Sequence, residues 1–200
     1  MALVSDKHPG IILASGSPRR LELTRRIGFE PTVVVSNIPE VYESDETPHE
    51  YTRRLALLKA QDVAQNLGKD EEKPAWILSA DTIVVKDGAV LEKPLDEDDA
   101  RRMLKRLSGQ WHTVITSFCW LARTLSDDEP RCGVYSVEAG VEFRELSEEM
   151  IRRYVATGEP MDKAGSYGIQ DVGSTIVRAV KGSYFCVVGL PVCEVIEALQ

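Results

Sequence analysis

A loop of small residues followed by two arginines is the part of this 200-residue sequence with the clearest chemical meaning. Residues 14–17 read Ala-Ser-Gly-Ser, so the backbone there can approach a ligand closely. Pro18 after Ser17 is the order that begins a helix, and the N–H groups at a helix N-terminus favour an anion. Arg19 and Arg20 then stand in the first turn, where a cation opposes the helix dipole. A bound anion such as a phosphate would explain that placement, and two solvated surface arginines are the alternative.

Four further charged residues stand where charge is costly or could hold a ligand. Asp81 interrupts an apolar, strand-like segment, and a carboxylate there is costly unless it is paired, hydrogen-bonded or bound to a metal. Lys59 falls within the apolar arc of a predicted helix, either as a functional cation or as a surface lysine with a buried stem. Glu40 begins an acidic loop that either holds a cation or is plain solvated surface. Lys93 follows a predicted hairpin, which can fold it back towards Asp81.

This set of residues suits metal-assisted attack of water on a polyphosphate. Mg²⁺ prefers oxygen ligands and retains several waters, so one or two carboxylates with substrate oxygens suffice. The ion would neutralise the phosphates and lower the pKa of a bound water, while arginine and lysine stabilise the leaving group. The sequence has no G-x-S-x-G, H-E-x-x-H, Walker A or G-x-G-x-x-G motif. Its three histidines are isolated from one another, and His112 is predicted to be structural.

The charge and the amino-acid composition of the chain limit the kinds of partner that it is expected to bind. The net charge of −8 argues against binding to a nucleic-acid backbone, which needs a basic face. The four cysteines contain no C-x-x-C pair, so a zinc site is not expected and a reduced compartment fits. Residues 1–9 lack the apolar core of a signal peptide, and no apolar run approaches the ~20 residues of a membrane span. We therefore expect a soluble, cytoplasmic protein without a membrane partner.

The order of the predicted elements indicates an α/β fold. Strands are predicted at 11–13, 31–36, 76–85, 90–91, 111–123 and 133–143, and helices begin at 18, 48, 97, 148 and 191. Residues 173–180 and 184–188 are predicted to form a final hairpin, and 126–130 an acidic turn. Strand–helix alternation followed by hairpins predicts a central curved mixed sheet flanked by helices. The expected organisation is a tail at 1–9 and one domain at 10–200, with two lobes as an option.

The sequence resembles the Maf family of nucleoside triphosphate pyrophosphatases, and the resemblance covers Ile11–Leu199. It rests on ordered motifs at 13–20 (LASGSPRR), 80–84 (ADTIV), 92–94 (EKP), 107–109 (LSG), 162–165 (DKAG), 168–170 (GIQ), 182–184 (GSY) and 188–191 (VGLP). It implies a Maf/ITPase-like fold and hydrolysis of a nucleoside triphosphate between its α and β phosphates. It also implies a divalent cation (Mg²⁺, Mn²⁺ or Co²⁺) and a homodimer. A nucleotide-binding regulator of cell division with little turnover is the alternative.

The resemblance also assigns roles to single residues. It implies that Asp81 is the general base and, with Glu40, a metal ligand. Pro39 stands where many relatives place a second acid. The resemblance further implies that phosphates are held by Ser15, Arg20, Lys59 and Lys93.

Three positions of the sequence resemble the branch of the family that acts on dTTP and UTP. These are Arg19, Thr82 and Gln170, where the branch acting on 7-methyl-GTP has Trp, Gln and Glu. Gln170 carries both a donor and an acceptor, which match the O4 and N3–H edge of uracil or thymine. Specificity for UTP and dTTP is therefore expected, with 7-methyl-GTP or another modified nucleotide as the alternative substrate.

Overall fold

The computed structural model describes residues 10–43, 45–67, 75–123 and 131–199. Its helices are α1 (Pro18–Arg26), α2 (Pro48–Asn66), α3 (Glu97–Leu107), α4 (Glu148–Val155), α5 (Tyr184–Val188) and α6 (Val192–Glu197). Its strands are β1 (Ile11–Leu13), β2 (Thr32–Val33), β3 (Ala75–Lys86), β4 (Ala89–Leu91), β5 (Trp111–Arg123), β6 (Cys132–Phe143) and β7 (Val177–Gly182). Short 3₁₀ helices cover Glu159–Asp162, Ala164–Ser166 and Val172–Thr175.

Within these described ranges, seven strands form one mixed sheet. The order is β2-β1-β3-β5-β6-β7, and β4 pairs with β3. β1 runs parallel to both β2 and β3, whereas β3–β4 and β6–β7 are antiparallel. The predicted α/β class with a mixed sheet and flanking helices is confirmed.

The chain divides into two compact units. The first comprises the described parts of Met1–Asp81, Thr116–Ser136 and Gly189–Gln200, and the second comprises Thr82–Ile115 and Val137–Val188. In the first unit, β1 and α2 pack together in one apolar cluster, which includes Ile12, Ala14, Ala56, Ala60, Val63 and Ile77. In the second, residues of α3 and α4 share a core with Val84, Val141 and Phe143. The site described below lies mostly on the β1–α2 part of the first unit.

Local sequence signals explain where α1 and α2 begin. Ser17 caps α1, and its side chain accepts a hydrogen bond from the Arg20 N–H. Thr47 and Glu50 form a capping box, in which each side chain accepts a bond from the other residue's N–H. Pro18 and Pro48 occupy the first helical position, where a missing N–H costs nothing. Both predicted helix starts are confirmed.

The predicted final hairpin is shifted in its first half and wrong in its second: Val172–Thr175 is a 3₁₀ helix, and the strand covers Val177–Gly182 rather than 173–180. β7 pairs with β6, but Tyr184–Val188 is a helix rather than a strand. Gly182 has φ +101, which ends the strand, and the Ser183 hydroxyl accepts a hydrogen bond from the Cys186 N–H. That bond caps a helical turn. The apolar sequence of residues 184–188 fits a strand as well as a helix, so the Ser183 cap favours the helix.

The remaining differences from the predicted elements are small. The second strand spans only Thr32–Val33 rather than 31–36. The predicted tail at 1–9 and the acidic turn at 126–130 lie outside the described residues. Among the described helices, none combines the length and apolarity required to cross a bilayer.

Candidate active site

The small-residue loop after β1 is fixed at both ends. The Ala14 N–H donates to the Leu78 carbonyl at 2.8 Å, which continues the β1–β3 pairing into the loop. The buried Ser15 hydroxyl accepts a hydrogen bond from the Ser17 N–H at 3.2 Å. The loop therefore has a defined shape where it enters α1, as a phosphate-binding loop requires.

Arg20 turns back onto this loop from the first turn of α1. Its Nη1 donates to the Ser15 hydroxyl at 3.3 Å, and its Nε donates to the Gly189 carbonyl at 2.8 Å. Burial lowers the pKa of the Arg20 guanidinium, while the negative charges of Asp81 and Glu40 act in the opposite direction. An arginine remains charged at neutral pH, so a fixed cation stands beside the loop.

Lys59 holds two carboxylates that are far apart in the sequence. Its Nζ lies 2.7 Å from Asp81 Oδ1 and 2.6 Å from Glu40 Oε1. The side chains of Lys59 and Asp81 are only 10% and 8% exposed, and that of Glu40 is 39% exposed. The alternative of a surface lysine with a buried stem is therefore wrong for Lys59. The lysine is a buried cation with two partners.

The position of Asp81 follows from the contact between β3 and α2. Ser79 and Asp81 are two residues apart on β3, so their side chains leave the strand on the same face. The Ser79 hydroxyl donates to the Ala56 carbonyl of α2, and Lys59 lies one helical turn further along. The sheet and the helix are thus attached beside the ion pair, which fixes the backbone from which Asp81 and Lys59 extend.

The structure brings together four of the predicted site residues around two contacts: Ser15 with Arg20, and Lys59 with Asp81. Glu40, predicted as either a cation ligand or solvated surface, is a fifth and joins the second contact through Lys59. Arg19 is half-buried in the first turn of α1.

Three other predicted residues belong to the second unit. Thr82 and Gln170 are half-buried, and Lys93 is exposed shortly after β4. The hairpin predicted before Lys93 is confirmed: β3 and β4 pair antiparallel, and Asp87 and Gly88 form the turn with φ of 51° and 75°. The approach of Lys93 to Asp81 stays a prediction.

One residue that supports the Gln170 segment was missed from the sequence. The Glu159 carboxylate accepts hydrogen bonds from the Tyr154 hydroxyl at 2.9 Å, the Val172 N–H at 2.9 Å and the Gly173 N–H at 3.1 Å. The Tyr154 hydroxyl in turn accepts a bond from the Gly168 N–H at 3.0 Å. These backbone contacts lie on both sides of Gln170. No periodicity or motif in the sequence pointed to them, because the donors belong to the backbone.

His112 has a structural environment, in agreement with its predicted role. It is buried, and its Nε2 lies 2.8 Å from the Tyr167 hydroxyl. Burial lowers the pKa of His112 to about 4, so the imidazole is neutral at pH 7. Its ring also makes edge contacts with Phe143 and Tyr167.

The donor set fits a metal ion that is shared with a substrate. Among the described residues, no group of three or more His, Cys, Asp or Glu side chains could enclose an ion. Two carboxylates, Glu40 and Asp81, lie within hydrogen-bonding distance of one ammonium. Mg²⁺ is commonly bound by one or two carboxylates together with substrate phosphates and water, whereas zinc sites use nitrogen and sulfur ligands. These residues therefore suit a hard cation.

Comparison with known proteins adds a family to this geometry. The family model described as Maf-like protein matches residues 10–200. The chain belongs to the Maf family. It is 46% identical to the dTTP/UTP pyrophosphatase of Syntrophotalea carbinolica over 195 residues, which cover 98% of this chain and 86% of the relative. It is 43% identical to the dTTP/UTP pyrophosphatase of Hahella chejuensis, over 98% of this chain and 94% of the relative.

A third protein with the same name gives a similar result. The dTTP/UTP pyrophosphatase of Geotalea uraniireducens is 46% identical over 192 residues, or 95% of this chain and 93% of the relative. The similarity therefore spans both units of this Maf protein, including the segments that carry Glu40, Lys59, Asp81 and Gln170.

Proposed function

We propose that this Maf protein is a nucleoside triphosphate pyrophosphatase that hydrolyses dTTP and UTP to the monophosphate and pyrophosphate. The observation that carries the proposal is the contact of Lys59 with both Asp81 and Glu40. The charges of these carboxylates act on the guanidinium of Arg20, which lies beside the Ser15 loop. Hydrolysis of a phosphoanhydride needs cations that bind the phosphates, and it needs carboxylates that hold the metal and accept a proton from the water. The three relatives described above bear the name of this activity.

Ser15, Arg20, Lys59 and Lys93 bind the phosphates in this proposal. The guanidinium of Arg20 can donate two parallel hydrogen bonds to phosphate oxygens, and Ser15 keeps it oriented towards the loop. Lys59 supplies a compact charge whose flexible stem lets its ammonium move from the carboxylates to a phosphate oxygen. These cations stabilise the negative charge that develops on pyrophosphate as the α–β bond breaks.

Asp81 is the general base for the attacking water. Its carboxylate accepts the proton that the water loses as its oxygen attacks the α-phosphorus. The contact between Asp81 and Lys59 fixes the orientation of that carboxylate before substrate arrives. Pre-set orientation lowers the entropic part of the barrier. The water oxygen remains on the monophosphate, and pyrophosphate leaves with the bridging oxygen.

Glu40 and Asp81 would hold a divalent cation, for which we propose Mg²⁺. When bound, such an ion neutralises phosphate charge and lowers the pKa of a coordinated water. Glu40 is the more exposed of the two carboxylates, so it can reach an ion that enters with the nucleotide. Mn²⁺ and Co²⁺ accept the same oxygen ligands and are expected to replace Mg²⁺.

Gln170, with Arg19 and Thr82, selects the base. The Gln170 amide can donate to O4 and accept from N3–H of uracil or thymine, whereas cytosine presents the reverse pattern. A base with the wrong pattern leaves polar groups unpaired, which is the strongest form of discrimination available to a pocket. We therefore propose a preference for UTP and dTTP over CTP, purine triphosphates and 7-methyl-GTP.

The test is product analysis across a panel of nucleotides. Purified protein is incubated with UTP, dTTP, CTP, ATP, GTP or 7-methyl-GTP, with Mg²⁺ or with EDTA, and products are separated by chromatography. We expect UMP and dTMP with pyrophosphate, no turnover in EDTA, and recovery on addition of Mg²⁺ or Mn²⁺. Release of UDP and phosphate would contradict the bond assignment. Full turnover in EDTA would contradict the proposed need for a metal ion. Nucleotide binding without turnover would favour the alternative function, a nucleotide-binding regulator.

A further inference from the structure

We infer that Arg54 is a positioning residue that keeps Glu40 against Lys59. Glu40 lies at the start of a segment without helix or strand, residues 40–46, which we call the Glu40 loop; Ser44 lies outside its described part. Arg54 lies on α2, the helix that also carries Lys59. The inference rests on the proposed function, since it concerns the carboxylate to which that function assigns metal binding.

Arg54 contacts the Glu40 loop at three residues. Its Nη2 donates to the carbonyl of Val41, the residue after Glu40, at 2.9 Å. Its Nε and Nη2 both donate to the Glu46 carboxylate, at 2.9 and 2.5 Å. Its Nη1 lies 3.7 Å from Glu43 Oε1. One guanidinium therefore fixes both the beginning and the end of the loop.

The contacts of Arg54 are better shielded than those of an ordinary surface ion pair. Its side chain is 29% exposed, and that of Glu46 is 10% exposed. The pair is bidentate, which gives direction as well as attraction. The hydrogen bond to Arg54 lowers the pKa of Glu46, so the carboxylate stays charged at neutral pH.

Residues around Arg54 complete the attachment of the loop to α2. The Tyr42 hydroxyl donates to the Glu46 carbonyl at 2.7 Å, and the Tyr42 ring meets the edge of Tyr51 on α2. On the other side of Glu40, the Asn37 N–H donates to Asp62 Oδ2, also on α2, at 3.2 Å. The backbone is thus tied to one helix both before and after Glu40.

This arrangement explains how a half-exposed carboxylate can hold a fixed place. The described loop contains four acidic residues, Glu40, Glu43, Asp45 and Glu46, whose mutual repulsion would extend it. Arg54 and Lys59 are the cations on α2 that oppose this repulsion, five residues apart on one rigid element. Arg54 acts on the backbone of the loop, and Lys59 acts on the Glu40 carboxylate itself.

The experiment compares Arg54→Ala and Arg54→Lys with Arg53→Ala, a matched change at an exposed arginine of the same helix. Displacement of a reacting group by about 1 Å can cost 10²-fold, so we expect kcat for UTP to fall about 10- to 100-fold in Arg54→Ala. The fall should be smaller in Arg54→Lys, which keeps the charge but not the bidentate contact. Arg53→Ala should retain wild-type kcat.

A binding measurement provides a readout besides turnover. Electron paramagnetic resonance of Mn²⁺ with α,β-methylene-UTP reports metal binding in the absence of hydrolysis. We expect weaker Mn²⁺ binding in Arg54→Ala than in wild type and Arg53→Ala, with nucleotide affinity in EDTA unchanged. Equal Mn²⁺ binding in the three proteins, or no Mn²⁺ binding by wild type, would overturn the inference. Failure of wild type to hydrolyse UTP contradicts the proposed function but leaves this comparison interpretable.

A double-mutant cycle separates positioning from general stability. If Arg54 acts through Glu40, Arg54→Ala should cost little more once Glu40→Gln is already present, because coupled residues are not additive. Fully additive losses would show that Arg54 acts elsewhere and would overturn the inference. Circular dichroism and urea unfolding of each variant establish that the comparison is made on folded protein.

Discussion

The two units of this Maf protein hold their candidate site residues in different ways. In the first unit, charged groups hold one another: Lys59 contacts Asp81 and Glu40, which are distant from it in the sequence. In the second unit, the Glu159 carboxylate and the Tyr154 hydroxyl hold backbone N–H groups around Gln170. Ion pairs between side chains thus hold the first group, whereas bonds from backbone N–H groups to side chains hold the segment that carries Gln170.

In the proposed function, Lys59, Asp81 and Glu40 of the first unit serve the chemical step, whereas Gln170 of the second unit serves the choice of base. If the proposed roles hold, a change among these charges removes a proton acceptor or a phosphate ligand, so we expect it to alter the rate of the chemical step. A change in the backbone contacts of the second unit leaves those charges in place. We therefore expect such a change to affect folding stability or the choice of base.

The largest effect is expected from Asp81→Asn. The substitution keeps the shape of the side chain but removes the proposed base, and loss of a general base typically costs ~10²–10⁴ in rate. Lys59 keeps Glu40 as a partner, so its charge is not left uncompensated and the fold should survive. Steady-state kinetics with UTP and Mg²⁺ measure the loss, and urea unfolding checks the fold.

Asp87→Asn is the matched control for Asp81→Asn. Asp87 is exposed at the hairpin turn with φ 51°, a conformation that asparagine also adopts readily. We expect its kcat to equal that of wild type. A near-normal kcat in Asp81→Asn would assign the base to another residue and would remove the proposed contrast between the units.

A smaller effect, on the free energy of unfolding, is expected from the titration of His112 in the second unit. Its pKa is lowered by burial to about 4, against 6.5 for an unperturbed histidine. Between these values the unfolded chain binds a proton that the folded chain does not, so stability falls as the pH decreases from about 6.5 to about 4. Linkage gives a loss of about 2 kcal/mol between pH 7.5 and pH 5 from this residue.

Urea unfolding at several pH values measures the loss. His112→Gln keeps a hydrogen-bonding group for Tyr167 but does not titrate, so its stability should depend less on pH in this range. His49→Gln, on the half-buried start of α2, is the control. An equal pH dependence in wild type and His112→Gln would show that other groups control acid stability.

The sequence predicted those parts of the site in which a charge conflicts with its surroundings. Asp81 in an apolar strand and Lys59 in an apolar arc were both visible in this way, and the pattern of small residues revealed the Ser15 loop. The position of Glu40 in an acidic loop left solvated surface as an equal alternative, and only the family resemblance singled it out as a metal ligand. Arg54 was not among the residues predicted from the sequence, because its partners lie in the Glu40 loop, which no sequence pattern connects to α2.

Backbone partners account for what the sequence could not predict in the second unit. Glu159 has main-chain donors that no pattern of side chains reveals. The Tyr184–Val188 helix has the composition of a strand, and its state depends on the Ser183 cap and on the burial of Cys186 and Val188. The Glu159 contacts are tertiary, and the helix depends on a local cap together with burial, so strand propensity alone reveals neither.

The smallest effect is expected from Gln170→Glu in the second unit, and it concerns the preference for UTP over CTP. An ionised glutamate accepts but does not donate, so it cannot make the proposed bond to O4 of uracil and should favour a base with a donor edge. One unpaired polar contact is worth about 1–3 kcal/mol, so the ratio of kcat/KM for UTP to that for CTP should fall about tenfold. The electrophoretic yield of UMP and CMP from an equimolar mixture measures that ratio directly. Glu159→Gln, which weakens the contacts to Val172 and Gly173, should lower the same ratio less, since it removes no group from the base itself. A ratio unchanged in Gln170→Glu, or a loss of kcat as large as that of Asp81→Asn, would show that Gln170 does not read the base.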